Sequence, residues 1–118
     1  MNPAGPLALV VDDDPTARRM LDVRMRALGC QVAMATTGRE ALAAVERELP
    51  AVILLDLQMP QMDGMEVLRI LRREGMDVPT IVITAHGTID TAVEAMKEGA
   101  VDFILKPFDP QYLEIAVR

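Results

Sequence analysis

Acidic, hydroxyl and amino side chains stand at the ends of short apolar runs in this chain. Leu7–Val11 leads into Asp12-Asp13-Asp14, Ala51–Leu55 into Asp56, Thr80–Ile83 into Thr84, and Val101–Leu105 into Lys106-Pro107. Gln31–Ala35 ends without a charge, on Thr36-Thr37. If the runs are parallel strands, these groups converge at one sheet edge. Three or more carboxylates in one crevice repel one another unless protonated or bridged by a cation. A hard divalent ion with oxygen ligands resolves this, and Mg²⁺ is the usual one. It takes one or two carboxylates and keeps waters and phosphate oxygens as its other ligands. Beside such an ion a carboxylate can attack phosphorus and become an aspartyl phosphate. The transferring group needs charge stabilisation and in-line positioning more than acid–base help. Lys106 offers a point charge and Thr84 a hydroxyl donor. Each residue taken singly is ordinary: an Asp at a strand end is usually a cap, and Asp14, directly before Pro15, reads as one. A Lys-Pro is usually a solvated turn, and a Thr before a helix usually a cap. Their joint occurrence at four strand ends, in this order, carries the reading of a phosphoryl-transfer site.

Helical spacing separates the runs. Ala17, Met20, Leu21, Met25 and Leu28 follow the first, with Pro15 suited to the first turn and Gly29 to the stop. Ala41, Leu42, Val45 and Leu49 follow the second, before Pro50. Asp63 can cap a helix carrying Gly64, Val67, Leu68 and Leu71. Ile89, Ala92, Val93 and Met96 follow the fourth run, stopped by Gly99, and a last helix begins near Asp109-Pro110 with Leu113, Ala116 and Val117. Five β-α units predict an α/β fold, a doubly wound five-stranded parallel sheet with helices on both faces. The first, third and fourth runs are almost wholly apolar, as strands buried on both faces should be. Gln31 and Asp102 in the other two suit edges. The order 2-1-3-4-5 satisfies this and puts the ligand crevice between strands one and three.

The 118 residues, 51% of them apolar, suit one domain over residues 1–118 with a single core. Acids outnumber bases 18 to 12, which argues against this segment gripping nucleic acid or anionic lipid unaided. No apolar stretch approaches the roughly 20 residues of a membrane span, and the start lacks the pattern of a secretory signal. The lone Cys30 cannot form an internal disulfide and reads as a core residue; cytoplasmic residence follows as the default. The nine Met fall mostly on helical core faces or at the start. Arg18, Arg19, Arg24 and Arg26 read as a solvated face of the first helix.

In VVDDDP (10–15), LLDLQMPQMDG (54–64), PTIVITAHG (79–87) and GAVDFILKPF (99–108), the chain closely resembles the receiver domain of two-component response regulators. The resemblance runs from about Leu7 to Arg118 and implies a flavodoxin-like three-layer α/β/α fold. It implies that Asp56 is the phosphoacceptor and that Asp12 and Asp13 are the acidic pair. Asp13, Asp56 and the backbone carbonyl of Gln58 would ligate Mg²⁺ directly, and Asp12 mainly through a water. Lys106 would pair with the phosphoryl group. Thr84 would swing toward it after transfer, and Phe103 would turn inward as Thr84 moves. Lys106-Pro107 matches a bond that is typically cis, which is rare for X-Pro in folded chains. Gln58 and His86, two residues beyond Asp56 and Thr84, would tune the lifetime of the acyl phosphate. Substituting either by Ala should change dephosphorylation without abolishing phosphorylation. Phe103 has no hydroxyl, so it forgoes a phenolic hydrogen bond in its outward state.

The implied function is a phosphoacceptor switch that assists its own phosphotransfer and dephosphorylation. The donor is a histidine kinase, and the reader of the altered face around helix four, strand five and helix five is a downstream effector. The stretch ITAHGTIDTAVEAMKEGAVDFILKPFD resembles receivers of sigma-54-dependent activators and nitrogen-fixation-type regulators. The chain therefore reads as the N-terminal fragment of a longer transcription regulator whose DNA-binding effector lies outside it, with a homodimer on phosphorylation as a further expectation. A stand-alone receiver acting by protein contact is the alternative. A Mg²⁺-dependent phosphatase with an Asp nucleophile fits less well, because here the acids are adjacent and the nucleophile is on another strand. A flavin binder would want a phosphate-cradling loop rich in Gly, Ser and Thr where this chain has three acids.

Overall fold

The computed structural model describes residues 5–59, 62–85, 87–107 and 110–117. Strands and helices alternate: β1 (Leu7–Val11), α1 (Pro15–Ala27), β2 (Gln31–Ala35), α2 (Gly38–Arg47), β3 (Val52–Leu55), α3 (Gly64–Arg73), β4 (Thr80–Thr84), α4 (Ile89–Lys97), β5 (Asp102–Leu105) and α5 (Pro110–Val117). All pairings are parallel and the order is β2-β1-β3-β4-β5. The order is therefore the one read from the apolar runs, with Gln31 and Asp102 on the edge strands. Side chains alternate across each strand. From β1, Leu9 and Val11 join one core with Ala41 and Val45 of α2, Val67, Leu68 and Leu71 of α3, and Ala95 of α4. Ala8 and Val10 join the opposite core with Leu21 and Met25 of α1 and Leu113 of α5. Three layers result, with the sheet in the middle.

The helix starts are set locally. Asp14 accepts from the Thr16 amide with Pro15 in the first turn, and Asp63 from the Glu66 amide. Thr37 accepts from the Glu40 amide, while the Glu40 carboxylate returns to Thr36. The uncharged end of β2 is thus a cap for α2. Gly29 and Gly99 follow α1 and α4 at φ 92° and 109°, where a left-handed residue ends a helix.

Four apolar expectations change. Met20 on α1 and Leu49 beyond α2 are exposed, since each helix needs only a narrow stripe to cover its part of the sheet. In α4 the stripe Ile89, Val93 and Met96 is helical as the spacing predicts but faces outward; Ala95 is the buried residue. This helix packs on the short edge strand β5 and has little sheet to cover. The methionines divide: Met25, Met59 and Met65 are buried, whereas Met20, Met34 and Met96 are exposed. Cys30 is half-buried against the α1/α5 core, and burial pushes its thiol pKa up. Among the described residues no helix is long and apolar enough to cross a membrane.

Candidate phosphoryl-transfer site

The polar residues after the strands are held there by the last bonds of the sheet. The Asp12 amide donates to Ala35 O at 3.1 Å, the Asp56 amide to Val11 O at 2.9 Å, and the Lys106 amide to Thr84 O at 2.8 Å. Each side chain therefore projects from a backbone as fixed as the strand before it. This is the carboxyl edge of the sheet, and β1 lies between β2 and β3 at the point where the winding reverses.

Asp12 and Asp56 are buried and Asp13 is exposed, and one carboxylate oxygen from each comes within 4.8 Å of the others. Lys106 Nζ lies 2.6 Å from Asp12 Oδ2 and 3.6 Å from Asp56 Oδ2. The Asp14 amide donates to Asp12 Oδ1 at 2.9 Å and the Gln58 amide to Asp56 Oδ1 at 3.1 Å. The hydroxyl of fully buried Thr84 also donates to Asp56. A cleft of about 530 Å³ opens over this set, lined by Asp13, Asp14, Asp56, Gln58, Met59, Ala85 and Lys106.

Burial raises the pKa of Asp56, and the Asp12 charge adds to it; the Gln58 amide, Lys106 and Thr84 oppose the rise without cancelling it. For Lys106 burial is the largest influence and acts downward. The hydrogen bond to Asp12 and the charges of Asp56, Asp12 and Asp14 together outweigh it, so its pKa is raised. The site thus strains toward neutrality at Asp56 and holds a firmly charged cation beside it. Its donor set suits Mg²⁺: hard carboxylate oxygens close enough to share one ion, with exposed Asp13 leaving a side open for water and phosphate oxygens.

The structure brings Asp12, Asp13, Asp56, Gln58, Thr84 and Lys106 together as the sequence suggested. Lys106-Pro107 is cis. Phe103 is half-buried on β5 against the core beneath α2 and α3; its ring tip lies 2.8 Å from where a side chain on Gly87 would begin. Gln58 meets Asp56 through its amide nitrogen. His86 lies outside the described residues.

Two contributors were not legible as site residues. Arg18 is half-buried, unlike Arg19, Arg24 and Arg26, and donates from Nη1 to the Asp12 carbonyl at 2.8 Å. Its membership of the solvated face is therefore corrected. Gly64 lets α3 begin against the backbone of Asp56: a Cβ there would meet Asp56 O at 2.4 Å and Leu57 Cα at 2.8 Å. The Asp63-Gly64 pair signalled a turn into a helix, but not what the turn approaches.

Comparison with known proteins agrees with this geometry. The sequence model of the response regulator receiver domain matches residues 8–118. The chain is 41% identical over 110 residues to a probable transcriptional regulator ycf27 of Pyropia yezoensis, which covers 93% of this chain and 45% of that protein. It is 40% identical over 109 residues to the luminescence regulatory protein LuxO of Vibrio campbellii, covering 92% of this chain and 24% of that one. The chain thus spans less than half the length of these curated relatives. The crystal structure of the signal receiver domain of a LuxO repressor protein from Vibrio parahaemolyticus superposes with a TM-score of 0.90 at 32% identity, over 95% of this chain and 86% of that one. With the family sequence covering nearly its whole length and the same fold recovered in space, this chain belongs to the response regulator receiver domain family.

Proposed function

We propose that Asp56 of this receiver accepts a phosphoryl group from the phosphohistidine of a sensor kinase, and that a transcriptional effector reads the result. Receiver domains partner with histidine kinases and effector domains, bind Mg²⁺ at an acidic pocket, and in transcriptional regulators are generally not classical enzymes. The observation that carries the reading is the geometry around Asp56: a buried carboxylate sharing one crevice with an acidic pair and with an ammonium bonded to that pair.

Asp13, Asp56 and the Gln58 carbonyl would hold Mg²⁺, with Asp12 acting through a water. When bound, the ion offsets carboxylate repulsion and draws charge from the phosphoryl oxygens. Asp56 approaches phosphorus as the ionised carboxylate. Its O–P bond forms as the P–N bond to the kinase imidazole breaks, and the imidazole takes up a proton. Lys106 pairs with a phosphoryl oxygen, and Thr84 transfers its hydroxyl bond from Asp56 to another. Phe103 then moves into space that Thr84 leaves, altering the face formed by α4, β5 and α5. Gln58 and His86 flank the acyl phosphate and set its rate of loss, the chain thereby assisting its own dephosphorylation. The exposed Ile89, Val93 and Met96 of α4 and Leu105, Tyr112 and Ile115 beside them supply the apolar part of that face. A second copy of the chain or the effector domain covers it in the phosphorylated state.

The test is incubation with Mg²⁺ and acetyl phosphate, followed by intact mass under conditions that spare acyl phosphates. Wild type should gain one phosphoryl group and Asp56→Asn none. Modification of Asp56→Asn to the same extent, or none of wild type, would overturn the assignment.

A further inference from the structure

We propose that Arg18 is a positioning residue for Asp12: by holding the Asp12 carbonyl, it fixes how that carboxylate faces the cation site. The inference rests on the reading of Asp12 as part of the Mg²⁺-binding set. Asp12 sits where β1 ends and the chain turns toward α1, so its orientation depends on bonds beyond the strand. Its amide is held by Ala35 O, its Oδ1 by the Asp14 amide and its Oδ2 by Lys106. Arg18 supplies the remaining hold, from Nη1 to the main-chain oxygen. A charged donor makes this stronger than an ordinary side-chain bond to a carbonyl.

Arg18 also interacts with a charge outside this set. Its charge acts on Glu40 of α2, whose carboxylate accepts from the Thr36 amide at 2.7 Å and the Thr36 hydroxyl at 2.9 Å. Glu40 is exposed, so its attraction for Arg18 is screened. The hydrogen bond to Asp12 is the effective tether.

Charge and positioning predict opposite outcomes, which makes the role testable. A guanidinium near an acidic site repels a divalent cation, so deleting it for charge alone strengthens Mg²⁺ binding. Deleting a tether loosens Asp12 and weakens binding. The experiment uses isotope-labelled chain as wild type, Arg18→Met and Arg18→Lys, with circular dichroism as the check on folding. Before any metal is added, hydrogen exchange of the Asp14 amide reports whether Asp12 still holds it. Mg²⁺ is then titrated against the amide shifts of Asp13 and Gln58. Arg18→Met should exchange at Asp14 severalfold faster and bind Mg²⁺ about tenfold more weakly, the low end of what a partner behind a metal ligand contributes. Arg18→Lys should recover part of both and carries the same test should Arg18→Met not fold. Equal or tighter Mg²⁺ binding with unchanged Asp14 exchange overturns the proposal while leaving the cation site intact. A wild type whose Asp13 and Gln58 amides do not saturate with Mg²⁺ sinks the cation reading and this inference together.

Discussion

The Lys106 ammonium donates its short hydrogen bond, 2.6 Å, to Asp12 Oδ2 and lies farther, at 3.6 Å, from Asp56 Oδ2. The cation is thus anchored on a residue of the acidic pair while its charge still reaches the proposed acceptor.

Removing that anchor should destabilise the fold. Asp12 is 1% exposed and the Lys106 side chain 17%, so Lys106→Met leaves two buried carboxylates facing each other without compensation. Breaking a fully buried pair costs about 3–5 kcal/mol, and partial exposure of the lysine brings the expected loss to roughly 1–3 kcal/mol. The sign of the pH dependence follows from the raised pKa of Lys106. Its contribution is fully present below the ordinary value of 10.5 and is lost as pH rises through the higher folded value. Urea denaturation should show a gap between wild type and variant at neutral pH that closes above 10.5. A gap that persists unchanged there would mean the lysine acts through its packing alone.

Asp56 should show the reverse balance. Burial, and then the Asp12 charge, favour its neutral form in the folded chain. Its contribution is therefore greatest below the ordinary value of 3.8 and is lost as pH rises through the higher folded value. At neutral pH the ionised carboxylate is a cost. Asp56→Asn should melt a few degrees higher than wild type in chelator, in line with about 1 kcal/mol for a domain of this size. Mg²⁺ should then raise wild type and leave Asp56→Asn nearly unmoved. An asparagine variant less stable than wild type in chelator would contradict this balance.

The sequence revealed most where periodicity and chemistry coincide. The wholly apolar Ile81–Ile83 marked an interior strand, and Gln31 and Asp102 marked edges, because burial on both faces leaves no room for polar side chains. Asp12, Asp56 and Lys106 were legible as a site because each directly follows a strand, and Thr84 because it ends one, where the ladder itself dictates their convergence. Contacts between elements were not legible. The spacing of Ile89, Val93 and Met96 shows a helix but not which side meets the sheet, and Ala95 is the inward residue. Arg18 resembles its exposed neighbours in sequence and differs only in being within reach of the Asp12 carbonyl.

Gly64→Ala should disturb the site through the backbone. The new methyl would stand 2.4 Å from Asp56 O and 2.8 Å from Leu57 Cα, and main-chain atoms at a strand end have little freedom to retreat. Overpacking of this kind costs about 1–3 kcal/mol, and the rigid neighbours place this case near the top of that range. The shift should also lengthen the Gln58 amide bond to Asp56. Equilibrium denaturation and the Gln58 amide resonance report the two effects. A variant as stable as wild type with an unmoved Gln58 amide would show that α3 can back away freely.

Gly87→Ala poses the same steric problem against partners that can yield. A methyl there would come within 2.6 Å of Leu105 Cδ2 and 2.8 Å of Phe103 Cε1 and Cζ, all of them side-chain tips. Leu105 is exposed and Phe103 half-buried, so both can turn aside. The stability change should stay within about 1 kcal/mol, while the Phe103 ring leaves its present seat. If Phe103 and Thr84 belong to one two-state element, as proposed, displacing the ring changes how readily that element responds. The chain has two Phe, one Tyr and no Trp, so its aromatic proton spectrum is simple enough to follow Phe103 alone. Gly87→Ala should shift the Phe103 ring signals without added ligand and alter the response of α4 amides to Mg²⁺ and a beryllofluoride phosphoryl mimic. Shifted ring signals with a wild-type α4 response would uncouple Phe103 from the switch; unshifted ring signals would show that Leu105 alone gives way.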